Sequence, residues 1–208
     1  EILNPNHFGE ITNTGGPVSL INSNNLGTSD FYSGAFPAQF GNALSGVFDL
    51  SLRNGNTSQT EMVAQIGFSG LELGIEGSLS SKYNASYIIN YRYSTLGVLK
   101  KVGLDFGTGS TIPQYQDLSF KVQGNITPKT KVSVWGMGGP SQINFTVSED
   151  QLNSPTAVVF DNLKSSFFTG MGGISLETVV NKKTNSRLQF GFGYGSENAK
   201  EDSVGNSV

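Results

Sequence analysis

His7 is the only histidine in the 208-residue chain, and it stands in an asparagine-rich stretch, NPNHFG. A metal centre or a Ser-His-Asp arrangement needs an imidazole working with several convergent groups. One histidine among turn formers reads instead as a turn residue. Glu72 and Glu76 share one face of an alternating segment. Four residues of strand hold them ~13 Å apart, beyond the roughly 5 to 9.5 Å of carboxylates that work as an acid and base pair on a glycoside. Gly191, Gly193 and Gly195 alternate inside a strand pattern and open no helix, so they make no phosphate loop. The absence of cysteine removes thiolate ligands and disulfides. No enzyme activity and no cofactor are expected.

The elements that position these residues are strands. Charged residues are only 14% of the chain, and 27 glycines and 22 aromatics (14 Phe, 7 Tyr, 1 Trp) accompany abundant Asn, Ser and Thr, a β-rich composition with a neutral polar surface. Net charge is −3 and basic residues never exceed two in a row, at Lys100-Lys101 and Lys182-Lys183. A nucleic-acid partner is therefore not expected. The longest apolar run is Ala157 to Phe160, far short of a spanning helix. EILNPNHFG has no signal-peptide character, so any export signal is expected to lie upstream or to be absent.

From Thr60 onward the chain falls into segments of about ten residues with period-two alternation. Ala85, Tyr87, Ile89, Tyr91 and Tyr93 oppose Ser86, Ile88, Asn90, Arg92 and Ser94. Leu118, Phe120, Val122, Gly124 and Ile126 oppose Ser119, Lys121, Gln123 and Asn125. Leu71, Leu73, Ile75 and Leu79 oppose Glu72, Glu76 and Ser78, and Leu188, Phe190, Phe192 and Tyr194 oppose Arg187, Gln189, Gly191 and Gly193. Strands are expected near 61-69, 71-80, 84-98, 115-127, 130-147, 163-181 and 186-197.

The connections alternate as well. Short polar turns at Ser81 to Asn84, Thr127 to Thr130 and Asn181 to Ser186 are separated by a tight tip at Ser69-Gly70 and by longer loops at about 100 to 114 and 149 to 162. A water-soluble β-sandwich also has polar and apolar faces. Long strands with a charged and amide-rich second face, short turns at one end and long loops at the other fit a transmembrane β-barrel better. On that reading Asn90, Arg92, Lys121, Gln123 and Gln189 line the lumen, while Tyr87, Ile89, Tyr91, Phe120, Val122, Phe190 and Phe192 meet outer-membrane lipid. Seven strands is an odd number and too few to enclose a domain, so a fragment is expected, with more strands after Val208.

Residues 1-55 lack this period until Val47, are rich in Asn and Gly, and read as a separate, compact, loop-rich piece. Val47, Phe48, Leu50 and Leu52 would give a last strand joining a buried sheet. GGPVSLINSNNLGTSDFYSGAFPAQFGNALSGVFDLSLRNGN resembles the C-terminal half of the plug domain of TonB-dependent outer-membrane transporters of the Bacteroidota type. FGNALSGVFDLSLR looks like the segment that closes the plug, with Phe40 where Tyr is common and Ser45-Gly46 in place of a double glycine; SKYNASYIINYRYSTL looks like an early barrel strand.

The resemblance implies an all-β chain, with part of a plug over 1-55 and an incomplete antiparallel transmembrane barrel over 56-208. It implies energy-coupled import of a scarce nutrient across the bacterial outer membrane. The partners would be the inner-membrane TonB complex, reached through a missing N-terminal segment, a small nutrient ligand and a surface lipoprotein. Arg53 would pair with Glu72 or Glu76 between plug and barrel. Asn4, Asn6, His7 and Phe8 would touch the ligand from a loop at the outer apex, unless the asparagines serve turn backbone and His7 packs inside. A passive porin, an adhesin or a soluble binding sandwich is the alternative.

Overall fold

The structure, a computed structural model, describes residues 5–8, 16, 18–41, 45–67, 70–95, 112–145 and 162–202. Four short strands come first: β1 (Asn6–His7), β2 (Val18–Ser19), β3 (Asp30–Tyr32) and β4 (Val47–Asp49). They form two ribbons, β1 with β2 and β3 with β4. Seven longer strands follow: β5 (Glu61–Ile66), β6 (Leu71–Ser80), β7 (Ala85–Tyr93), β8 (Ile112–Thr127), β9 (Thr130–Phe145), β10 (Asn162–Asn181) and β11 (Thr184–Asp202). Each pairs antiparallel with the next in chain order, giving one seven-stranded sheet whose edges are β5 and β11. The all-β expectation and the seven antiparallel strands hold; these seven do not close on themselves.

Three connections at one end are tight. In the turn after β6, Asn84 adopts the left-handed conformation (φ 44°), which its short polar side chain tolerates. After β8 and β10 the turns are two residues long. Thr127 Oγ1 accepts from Lys129 N–H at 3.2 Å, and Asn181 Oδ1 accepts from Lys183 N–H at 2.8 Å, so side chains satisfy the reversing backbone. At the other end, β8 begins at Ile112 and β10 at Asn162, inside the spans expected for loops. The rest of those two loops, and Ser69 at the tight tip, lie outside the described residues.

The sheet's two faces have reversed polarity. Ser86, Asn90, Asp117, Ser119, Gln123, Ser133, Ser141 and Ser165 are buried on the face that carries the N-terminal segment. On the other face Leu73, Leu118, Ile174, Phe190, Phe192 and Tyr194 are exposed, Phe192 to 73%. A sheet folding in water buries its apolar face and solvates the other. The outer aromatics are fixed by pairing with glycine: a Cβ at Gly136 would come within 2.8 Å of the Phe120 ring, which covers that bare backbone from the neighbouring strand.

Among the described residues, the buried apolar side chains of residues 5–8 and 18–56 pack with the sheet. Phe8 is buried with Tyr115 and Phe167, flanked by Val18 and Ile143; Leu20 is buried with Met137 and Met171, flanked by Ile21, Leu52 and Trp135. Both clusters are shared between the segment and the sheet. The strand expected to be buried is also largely open: Phe48 is 70% exposed and stacks on exposed Phe31 at 4.5 Å between centroids, and Leu50 is exposed. Leu52 alone of that set packs inward, paired with Leu26.

Gly55 marks where the segment crosses β7. A Cβ there would lie 1.9 Å from the Tyr87 carbonyl oxygen, a backbone atom that cannot rotate away. Gly55→Ala is therefore expected to destabilise the chain by about 1–3 kcal/mol, the usual range for overpacking, read as a fall in the denaturant midpoint. An unchanged midpoint would show that the crossing is not tight.

Candidate functional site: a polar seam between the N-terminal segment and the sheet

The NSNN stretch folds as a single 3₁₀ turn, Ser23–Asn25, capped by Asn22, whose Oδ1 accepts from Asn24 N–H at 2.8 Å. That cap aims three amides at the sheet. Asn22 and Asn24 donate to one oxygen of Glu72 at 2.7 and 2.8 Å, and Asn24 also donates to Gln65 at 3.3 Å. Asn25 donates to Ser119 Oγ at 2.6 Å and accepts from Asn90. Asn25, Asn90 and Ser119 are all buried, so each bond satisfies a group that would otherwise be desolvated and unpaired.

Arg53 follows the Leu26–Leu52 bridge and forms a fork with Glu76. Both terminal nitrogens donate to the carboxylate at 2.7 Å, and Nε donates to Asn24 O at 2.6 Å. Glu76 also accepts from Asn56 N–H at 2.8 Å. Bidentate guanidinium–carboxylate geometry adds directional specificity to charge. Lys121 donates to Leu52 O. Glu76→Ala would leave the half-exposed guanidinium and the Asn56 N–H without these acceptors. The expected loss is about 1–3 kcal/mol, below that of a fully buried pair, and hydrogen exchange should quicken at Asn56 before the sheet amides. Unchanged exchange there would mean that the fork does not hold the segment.

The third contact centres on Asp117, which is 2% exposed. Arg92, its cross-strand neighbour, donates to both oxygens at 3.0 and 2.9 Å and also to Ser19 O at 2.7 Å. His7 Nε2 lies 3.1 Å from Asp117 Oδ2. The imidazole is fully buried, 5.2 Å from the Tyr115 ring, and its Nδ1 has no partner among the described residues. Phe8 stands at φ 61°, a conformation costing a non-glycine residue about 1–3 kcal/mol, and its ring packs edge-on to Phe167.

The structure thus brings Arg53 to Glu76 and sets Glu72, Asn90, Arg92 and Lys121 against the N-terminal segment. Gln123 faces the same way but bonds to Ser86 at 3.1 Å. Gln189 is exposed on the inner face of β11 and shares a cleft of ≈ 700 Å³ with half-buried Asn6, Trp135, Thr169 and Ser175. Asn4 lies outside the described residues. His7 and Phe8, expected to meet a ligand, are 0% and 1% exposed. Their surfaces are taken up by Asp117, Tyr115 and Phe167, so Asn6 alone of the three described residues keeps surface for a ligand.

Asp117, Asn22, Asn24, Asn25 and Ser119 were not singled out by sequence. One signal was available: Asp117 is the only carboxylate between Asp105 and Glu149, and it sits on the polar parity of its strand. NSNN reads only as a turn until its cap is seen to aim side chains at β6, β7 and β8. Among the described residues, no three of His, Asp and Glu gather closely enough to hold a metal ion. Comparison of the chain with protein-family models, with curated proteins and with solved structures gives no match.

Proposed function

We propose that this chain is part of a TonB-dependent outer-membrane transporter, with β5 to β11 as barrel wall and the N-terminal segment as part of the plug inside it. The observation that carries the reading is the polarity of the sheet: buried serines, amides and charges, interspersed with Tyr115, Met137, Phe167 and Met171, face the segment, and exposed aromatics and aliphatics face away. Lipid solvates the second kind of surface, and a barrel lumen the first. On β8 the outer apolar residues run from Leu118 to Ile126, ~27 Å of strand, which at a tilt near 40° spans ~20 Å of a band about 25 Å tall. Beyond Leu118 the outer positions turn polar at Gln116 and Gln114.

The edges of β5 and β11 would be paired by further strands, completing a barrel wide enough for a plug. The seam of amides and ion pairs suits a plug that must seal yet move, because polar contacts exchange with water at less cost than an apolar core. The cleft beside Asn6 and Gln189, lined by an indole and small polar groups, would receive a polar nutrient with apolar parts.

The test uses cells making the native gene product, offered a panel of iron chelates, cobalamin, oligosaccharides and peptides. Accumulation of one class should fall to background when the TonB complex is deleted. Uptake that continues without the complex would remove energy coupling and favour a passive pore.

A further inference from the structure

The three tight turns at one end of the sheet carry four lysines: Lys82 after β6, Lys129 after β8, and Lys182 and Lys183 after β10. All four are exposed. No carboxylate occurs in residues 79–85, 126–131 or 179–187, so nothing within these turns neutralises them. Arg187, nearby on β11, is different: it is matched across the sheet by Glu177 at 3.1 Å. At the opposite end, Lys164 and Lys200 pair across β10 and β11 but share that end with Glu197. Among the described residues the uncompensated positive charge therefore belongs to the short-turn end.

Its position relative to the apolar face gives it meaning. Leu79, Ile126 and Val180 are exposed apolar residues within three positions of the lysines, so the apolar wall passes directly into a row of ammonium groups. Lys82 Nζ sits 5.1 Å from the centre of the Tyr83 ring, itself half-exposed, which holds this charge at the boundary beside an amphipathic aromatic. Successive turns lie two strands apart, about 10 Å, so the charges form a row along the rim. A soluble anion would not need that row to border an apolar wall. A lipid phosphate would, because its acyl chains lie against the wall while its headgroup reaches the rim.

We infer that the short-turn rim is a binding surface for anionic phospholipid headgroups, held by Lys82, Lys129, Lys182 and Lys183. This inference rests on the membrane reading above. It adds a selective lipid annulus at one leaflet, distinct from the nutrient site.

The native gene product would be folded into phosphatidylcholine bilayers containing a trace of spin-labelled phosphatidylglycerol or spin-labelled phosphatidylcholine, and the motionally restricted fraction of each label measured. Phosphatidylglycerol should be favoured roughly three- to tenfold at low salt, the effect of a few lysines at a charged surface, and the preference should shrink at 0.5 M salt. The combined variant Lys82→Gln, Lys129→Gln, Lys182→Gln, Lys183→Gln should reduce it to near unity, while Lys164→Gln with Lys200→Gln should leave most of it. Equal restriction of the two lipids by the unaltered chain, or a preference the fourfold variant retains, would overturn the inference. Failure to insert into any bilayer would instead overturn the membrane reading beneath it.

Discussion

Arg92→Ala is expected to cost about 3–5 kcal/mol, the range for stripping one partner from a buried ion pair. The substitution removes both guanidinium bonds to Asp117 and the donor to Ser19 O, leaving a carboxylate that is 2% exposed with His7 as its remaining described partner. The β1–β2 ribbon should loosen first, because its polar tie to the sheet passes through His7 and Ser19. Denaturant unfolding reads the total loss, and hydrogen exchange at residues 5–8 and 18–20 reads its place. In Arg92→Ala with Asp117→Ala the stranded charge is gone, so the double variant should recover much of the stability. A double variant as unstable as the sum of its singles would show that the two residues are not coupled.

Ile89→Arg is the second large effect. Ile89 lies mid-strand on the outer face of β7, opposite Phe120 on β8 and Ile75 on β6, with apolar neighbours on both sides. If lipid covers this face, a guanidinium there must leave water, and the expected cost is about 2–4 kcal/mol. The paired control is Gln189→Lys, on the inner face of β11, where the new charge stays in an aqueous cleft and should cost little. Both are compared by reversible unfolding in a bilayer. If lysine at 189 cost as much as arginine at 89, the assignment of faces would be wrong.

The facing of the sheet was legible because side chains alternate strictly along a strand. Once Tyr87, Ile89 and Tyr91 fall on one parity and Asn90 and Arg92 on the other, the faces of β7 follow, and the same holds for Leu118 to Asn125 on β8. The turns were legible as the short polar stretches Ser81 to Asn84, Thr127 to Thr130 and Asn181 to Ser186. Strand length was not, where alternation stops: β11 continues through Ser196 to Asp202, a polar stretch held by backbone pairing with β10 and not by an apolar face.

The seam was legible only in part. The pairing of Arg53 with Glu72 or Glu76 was implied by the family resemblance, and Arg53 meets Glu76. His7 and Asp117 lie 110 residues apart, and nothing local to either indicates the other. The exposure of Phe48 was equally hidden, since an alternating apolar segment reads as buried whether or not anything covers it. The packing of Phe8 was not legible, because NPNHFG reads as an open loop, whereas the ring packs down onto Tyr115 and Phe167.

The central claim is that the apolar face of the sheet meets lipid. The most direct measurement places single cysteines at Ile89, Phe120 and Phe192 on one face and at Lys121 and Gln189 on the other, each labelled with an environment-sensitive fluorophore in the bilayer-embedded native gene product. Quenching by brominated or spin-labelled acyl chains should be strong at 89, 120 and 192 and weak at 121 and 189. Stronger quenching at 121 and 189, or equal quenching on both faces, would contradict the account.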